Sequence, residues 1–485
     1  MKKTRIYIAL LFATMLSSVA TAQMVSPVDF MRNNPKAVFA NPAFYTKDYG
    51  YFDLFFGGFN FGVQNIGLKY DNFLRFNENG QPVVLDLNQG VASLRDVNYE
   101  NTFLNYDIFT CGRRTKYGYF TFSHRMRMVQ TMNYSKDLMK LLVEGNGSFL
   151  GEDNPANINI GMSARVFQEF GLGYQMSLTE QLNIGIRLKF LMGYIDAKVN
   201  ACNVKLYTDP ETYNMMLMSN VDASFTIPYE LNIEDGNLIG LMDKRFNPAG
   251  LFRNFGGGID LGAEYKFNDQ WGAALAINDL GRIYWNNYSV NVTANLQDNG
   301  SFYENGYFVF NGLNSEQINA MMNDPEYAGN LVDSLAGYVG LNFGKTARYS
   351  TGLNANLMAR GYFDLTPKHR FSAQFTGYNM GLGIKPAFTL AYTGSFSDKY
   401  DVVTTYTMMP GSYDNLGVGL SANFGGLMLY IASNNILGFF DAGNFSTVNL
   451  QMGLTFTSGE SVSRSETVII KDKLAEAEAE EQGMN

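Results

Sequence analysis

The sequence predicts an all-β fold, a transmembrane antiparallel β-barrel of about 14 strands with an N-terminal plug-like segment and long loops. Three observations predict it. Residues 182–190 put Leu182, Ile184, Ile186, Leu188 and Phe190 on one face and Asn183, Gly185, Arg187 and Lys189 on the other, the period of a strand with one oily side. The pattern returns many times behind a secretion-type leader, as expected of a wall between lipid and a polar lumen. The 49 Gly, 38 Phe and 30 Tyr, against 12 Pro and 2 Trp, suit a curved sheet with aromatic girdles.

The leader comes first. Lys2, Lys3 and Arg5 form a basic start, 6–16 is an apolar run, and Ala20-Thr21-Ala22 supplies the small residues of a cleavage site, so residues 1–22 read as a signal peptide cut after Ala22. The apolar run is shorter than the roughly 20 residues a spanning helix needs. Export to the bacterial outer membrane is the expectation. Residues 23–49 are polar and proline-bearing, with Asn33-Asn34-Pro35 and Asn41-Pro42-Ala43-Phe44, and read as an irregular segment able to plug a lumen. The barrel is expected over 50–457 and an acidic solvated tail over 458–485.

Strand-like runs lie near 51–70, 103–111, 117–129, 170–178, 182–199, 221–228, 259–267, 271–277, 282–296, 351–362, 369–378, 386–396, 400–408, 416–424, 427–433 and 448–456. The tight Thr179-Glu180-Gln181 turn makes its two flanking runs an antiparallel hairpin. In 259–267, Ile259, Leu261, Ala263, Tyr265 and Phe267 oppose Asp260, Gly262, Glu264 and Lys266; 416–424 and 448–456 alternate as cleanly. A buried parallel strand is apolar on both faces, so these are not the core strands of an α/β fold. Alternation alone also admits a soluble sandwich or propeller, against which the leader and the aromatic load weigh. Short helices are expected over 91–95, over 135–142, from Ser315 and over 330–335, all within long connections whose orientation parity does not reveal.

Charge and chemistry restrict the function. Loss of Lys2, Lys3 and Arg5 takes the formal net charge from −9 to −12, which disfavours nucleic acid as a partner. Outer-membrane lipid, a hydrophobic small molecule or a secretion-system protein are the partners considered. Two histidines, His124 and His369, and two distant cysteines, Cys111 and Cys202, offer no metal cluster, and no cofactor is expected. Cys111 and Cys202 can pair only if the fold brings their strands together. The one adjacent Ser-His pair, Ser123-His124, points to opposite faces of a strand and cannot exchange a proton. No enzyme is expected.

By alternation, Glu169, Arg187, Lys189, Asp260, Glu264, Lys266 and Arg370 point into the lumen, joined by Arg125 and Arg127. Either these opposite charges pair and brace wall and plug, or Arg125, Arg127, Arg187 and Lys189 form a basic stripe for an anionic solute such as a fatty-acid carboxylate. Met215, Met216 and Met218, and Met321 and Met322, either line an adaptable apolar site or fill gaps.

The plug motif Asn41, Pro42 and Ala43 resembles the Asn-Pro-Ala element of the long-chain fatty-acid transporter (FadL-type) barrels and of the PorV-like barrels of type IX secretion. The run Gly256-Gly257-Gly258-Ile259-Asp260-Leu261-Gly262-Ala263-Glu264-Tyr265, with Asn278-Asp279-Leu280-Gly281 and Trp285, resembles a domain-of-unknown-function family of outer-membrane barrels from Bacteroidetes-type bacteria. The resemblance implies an outer-membrane barrel and brings no reaction with it. Two functions remain in view: a barrel admitting a hydrophobic or amphipathic solute, and a non-transporting barrel acting as surface scaffold or secretion partner. An apolar pocket fits the first; a lumen filled by plug and salt bridges fits the second.

Overall fold

A computed structural model describes residues 25–44, 50–67, 69–76, 82–211, 215–228, 231–234, 237–241, 252–285, 289–296, 307–308, 342–345, 348–379, 384–396, 399–440 and 446–458. The leader, the helices expected from Ser315 and over 330–335, Met321, Met322 and the tail beyond Ser458 lie outside the described residues.

Fourteen strands make the wall: β1 (Gly50–Ile66), β2 (Val97–Thr115), β3 (Gly118–Ser135), β4 (Ala156–Ser177), β5 (Leu182–Thr208), β6 (Asn254–Lys266), β7 (Trp271–Trp285), β8 (Asn356–Thr366), β9 (His369–Asn379), β10 (Ile384–Phe396), β11 (Tyr400–Met409), β12 (Ser412–Asn423), β13 (Leu427–Ser433) and β14 (Thr447–Ser458). Each pairs antiparallel with the next, and β1 pairs with β14 from Gly50↔Ser458 to Gln64↔Thr447, so the sheet closes and leaves no edge. No helix among the described residues is long and apolar enough to cross a membrane; the strands cross instead.

Alternation sorts the side chains. Leu172, Leu188, Leu275, Leu390 and Ile431 face outward and are exposed, while their strand neighbours turn into the lumen. Phe120, Phe267, Trp271, Phe396, Tyr400 and Phe424 gather near the short turns as an exposed aromatic ring. Six short connections leave that end, beginning with 116–117; the connections from 67–96 onward, most of them longer, leave the other. Helices α1 (Leu87–Ser93) and α2 (Lys136–Glu144) occupy two of the long connections, close to the helices expected there.

The sequence overstates the wall in two places. Residues 221–228 and 282–296 look like barrel strands, but only 282–285 belong to the wall, as the end of β7, while Met215–Thr226 and Ser289–Leu296 pair with each other beyond the rim. They are reached through β5, a 27-residue strand whose first half pairs with β6 and whose second half pairs with Met215–Thr226. Apolar alternation is the same in a wall and in a sheet that continues it, so periodicity alone does not separate them. Met215 is buried there beside Phe149, Ala156 and Leu206, filling a gap in a small core.

Residues 25–44 fold inside the barrel as two 3-10 turns, Pro27–Phe30 and Pro35–Phe39, and a final turn at Asn41. Each begins with a side-chain cap followed by proline. Ser26 Oγ accepts from Val28 N at 3.1 Å, Asn34 Oδ1 from Lys36 N at 3.0 Å, and Asn41 Oδ1 from Ala43 N at 2.8 Å. Proline fits because its missing N–H is unneeded at a first turn. The rest is bonded outward to the wall, as a segment without a ladder of its own requires.

Candidate functional site in the plugged lumen

The plug touches the wall on many sides. Asn33 donates from its backbone N to Asp401 at 2.7 Å, Asn41 Nδ2 to the carbonyls of Ala263 and Leu275 at 3.3 and 3.2 Å, and Asn278 Nδ2 to Ala40 O at 2.8 Å. Asn183 Nδ2 donates to Ala43 O at 3.3 Å, Thr393 Oγ1 to Phe30 O at 3.1 Å, and Gln175 to Phe44 O. The Asn-Pro-Ala turn lies against a pair of facing glycines, Gly185 on β5 and Gly262 on β6. A Cβ on Gly185 would lie 2.2 Å from the Pro42 carbonyl carbon, and one on Gly262 would lie 1.9 Å from Asn41 Oδ1. The wall gives up two side chains to seat three residues.

One side of the lumen, over β1 to β7, holds a continuous ionic network. Lys36 of the plug sits 2.7 Å from Asp53 and 2.9 Å from Asp107; Arg125 Nε is 2.9 Å from Asp107. Arg127 bridges Glu169 at 2.7 Å and Asp279 at 2.8 Å, Lys189 reaches Asp260 at 2.7 Å and also Asp279, and Arg187 pairs with Asp260. Phe39 lies between two guanidinium groups, 4.1 Å from Arg125 and 4.8 Å from Arg187. Five bases meet five carboxylates, every one at most 5% exposed. Their formal charge cancels. Unpaired charge at this burial would cost several kcal/mol per ion, so the pairing is what allows the cluster inside.

Asp279 enters this network through a backbone irregularity. The β6–β7 register shifts between Ile259 and Leu261, and Asp279 takes φ of 60°. Its amide then donates to Asp260 Oδ1 at 2.7 Å while its carboxylate takes Arg127 by both oxygens, at 2.8 and 3.0 Å. A bulge here turns a side chain toward its partners.

Six of the sequence-read residues therefore stand in one cluster: Arg125, Arg127, Glu169, Arg187, Lys189 and Asp260. Each of the four bases has a carboxylate, so they do not form an open basic stripe. Glu264 accepts from Tyr362 Oη at 3.1 Å, and Arg370 pairs with Asp364 at 2.7 Å and lies 3.8 Å from the Tyr362 ring, both nearer the short turns. Lys266 closes β6 at that end, outside the network. Ser123 is buried toward the lumen beside Gly171 and Arg187, whereas His124 stacks on Phe170 at 4.3 Å on the outer face. Cys111 and Cys202 are free thiols.

Sequence reasoning missed Lys36, Asp53, Asp107 and Asp279. Asp107 was within reach, since Phe103, Asn105 and Asp107 share the inner face of one run. Lys36 sits in an irregular segment with no period to read.

Over β9 to β13 the inward face is mixed, with Thr389, Thr393, Asp401 and Thr405 buried among apolar side chains. Tyr378, Ala387, Ala391, Val403, Met409, Tyr430 and Ala432, with Phe103 of β2, form one cluster with Val25, Val28, Phe30 and Met31 of the plug. The plug's first turn thus covers a strip of small apolar side chains. Cavities lined by both plug and wall measure only about 30 and 10 Å³ among the described residues, room for a water or two.

Fold and lumen define a plugged transmembrane β-barrel. The chain belongs to a family of unknown function (DUF5723), matched over residues 42–434. It is similar in fold to the Pseudomonas putida toluene transporter TodX, with 8% identity, 90% of this chain and 98% of that one covered, and a TM-score of 0.36. It is similar also to a Pseudomonas aeruginosa FadL homologue, with 9% identity, 91% and 99% covered, and a TM-score of 0.39. At these scores the likeness says nothing about what this chain carries. No curated protein matches it.

Proposed function

We propose that this is an outer-membrane barrel that admits a hydrophobic or amphipathic solute when the plug's first turn leaves the apolar strip. The observation that carries the reading is the strip itself. Ala387, Ala391, Val403 and Ala432 face inward under apolar side chains of the plug, and an apolar solute that took the place of those side chains would gain about 25 cal/mol for each Å² it buries there. The long connections, Met215–Thr226 among their elements, then face outward from the cell and the short turns face the periplasm.

The test is a removable lock. With Cys111 and Cys202 replaced by serine, Asn33→Cys and Asp401→Cys stand where the native side chains touch. In proteoliposomes, a fluorescent apolar probe is expected to enter when the pair is reduced and to be held out when it is oxidised. Equal entry in both states, at the rate of empty vesicles, overturns the reading.

The scaffold reading is favoured by one observation, the lumen filled at mid-height by plug and ion pairs. It predicts that protein extracted from membranes carries a recurrent protein partner and no small molecule by mass spectrometry.

A further inference from the structure

The outer face of the wall is not evenly filled. Across β1, β2 and β3, Gly50 stands beside Arg113 and Arg113 beside Phe120; one row farther from the short turns, Phe52 stands beside Cys111 and Cys111 beside Phe122. Gly50 has no side chain and Cys111 a short one, and a depression of about 770 Å³ opens between two aromatic banks. One bank is Phe52 stacked on Phe456 of β14 at 5.1 Å; the other is Phe120 against Tyr174 of β4 at 4.9 Å. Its size is that of pockets holding a small ligand, about 300–1,000 Å³. Phe120 belongs to the aromatic ring near the short turns, the height at which such girdles meet lipid headgroups. Its register partner Arg113 therefore sets an exposed cation at headgroup height, at the foot of an apolar hollow. Lys116, exposed on the adjoining turn, adds a second. Both stand on a chain whose formal net charge is −9.

We propose that this hollow is a lipid site, whose occupant is an anionic glycerophospholipid of the leaflet that the short turns reach. Its phosphate takes the Arg113 guanidinium, whose forked N–H groups match two phosphate oxygens. Lys116 strengthens the attraction at the same height. One acyl chain runs from there over Cys111, between the rings of Phe52 and Phe122. The apolar lining lets the chain bury area, and the cation decides which headgroup is kept. The two halves of the site therefore fail differently: loss of the cation removes headgroup preference, and loss of the hollow removes retention of any lipid. The site lies on the outer wall, away from the plug, so it and the plug-displacement reading stand or fall separately.

The experiment is native mass spectrometry of the full-length protein, released from micelles holding equal amounts of dioleoylphosphatidylglycerol and dioleoylphosphatidylethanolamine. The wild type is expected to retain one phosphatidylglycerol in preference, and Arg113→Gln to lower that preference about fivefold, the effect of one cation at a charged membrane surface. Cys111→Phe, which fills the hollow and keeps Arg113, is expected to retain less of both lipids. Equal retention of the two lipids by the wild type overturns the proposal, as does a preference that survives Arg113→Gln. Unchanged retention of both by Cys111→Phe puts the lipid elsewhere and overturns it too. Should Arg113→Gln lack heat-modifiable migration, dioleoylglycerol offered to the wild type decides: this phosphate-free lipid, retained as strongly as phosphatidylglycerol, overturns the site, and weaker retention upholds it.

Discussion

Lys36 is the cation that the plug adds to the wall's buried ionic network, and Asp53, fully buried, has no other base in contact with it among the described residues. Replacing Lys36 by Met leaves that carboxylate buried alone, a change that costs about 3–5 kcal/mol in comparable pairs. The urea midpoint of the variant in lipid vesicles should fall accordingly, and the plug should become sensitive to added protease. Asp279 separates charge from backbone. Asn tolerates a positive φ whereas Val does not, so Asp279→Asn should lose about 1–3 kcal/mol for its weakened contacts to Arg127 and Lys189, and Asp279→Val distinctly more. Equal losses would mean that the bulge is unstrained and only the charge matters. Inward-facing Arg187, Lys189 and Asp260 were legible because strand parity assigns a face; their partners were not, because parity says nothing about which carboxylate lies across a lumen.

The plug and its cradle act as one element. Asn-Pro-Ala was visible as a motif, but Gly185 and Gly262, read only as small polar-face residues, proved to be its seat. A cradle is a property of two strands side by side, and register between them is not written in either one. Gly185→Val places a branched side chain where the Pro42 carbonyl now lies and should unseat the turn without breaking the wall. Trypsin should then cut after Lys36 faster than in the wild type, while heat-modifiable migration persists. An unchanged cleavage rate would show that the turn is held from its other side alone. The strand runs were largely legible as elements. Where they failed, at 221–228 and in the later part of 282–296, a sheet beyond the rim repeats the same alternation as the wall.

For the whole molecule, the outward apolar face makes a direct demand. Leu188 is 55% exposed on β5, and Leu188→Arg puts a charge toward lipid at a cost of roughly 2–4 kcal/mol near the midplane. Membrane-inserted yield should drop for Leu188→Arg and not for Asn200→Arg, at an exposed position on the second half of the same strand. The fold class was legible because fourteen strands repeat one rule. Closure adds an order of events that the finished barrel hides. Gly50 meets Ser458, from opposite ends of the wall, and residues 25–44 bond to strands most of the way round, from Lys36 on Asp53 of β1 to Ser26 on Gln451 of β14. A peptide cannot thread into a finished cylinder and find buried partners on every side. The segment ahead of the first strand is therefore the mandrel on which the last seam is sewn, and the seam, with its partners some 400 residues apart in sequence, is the contact that chain entropy makes slowest to form.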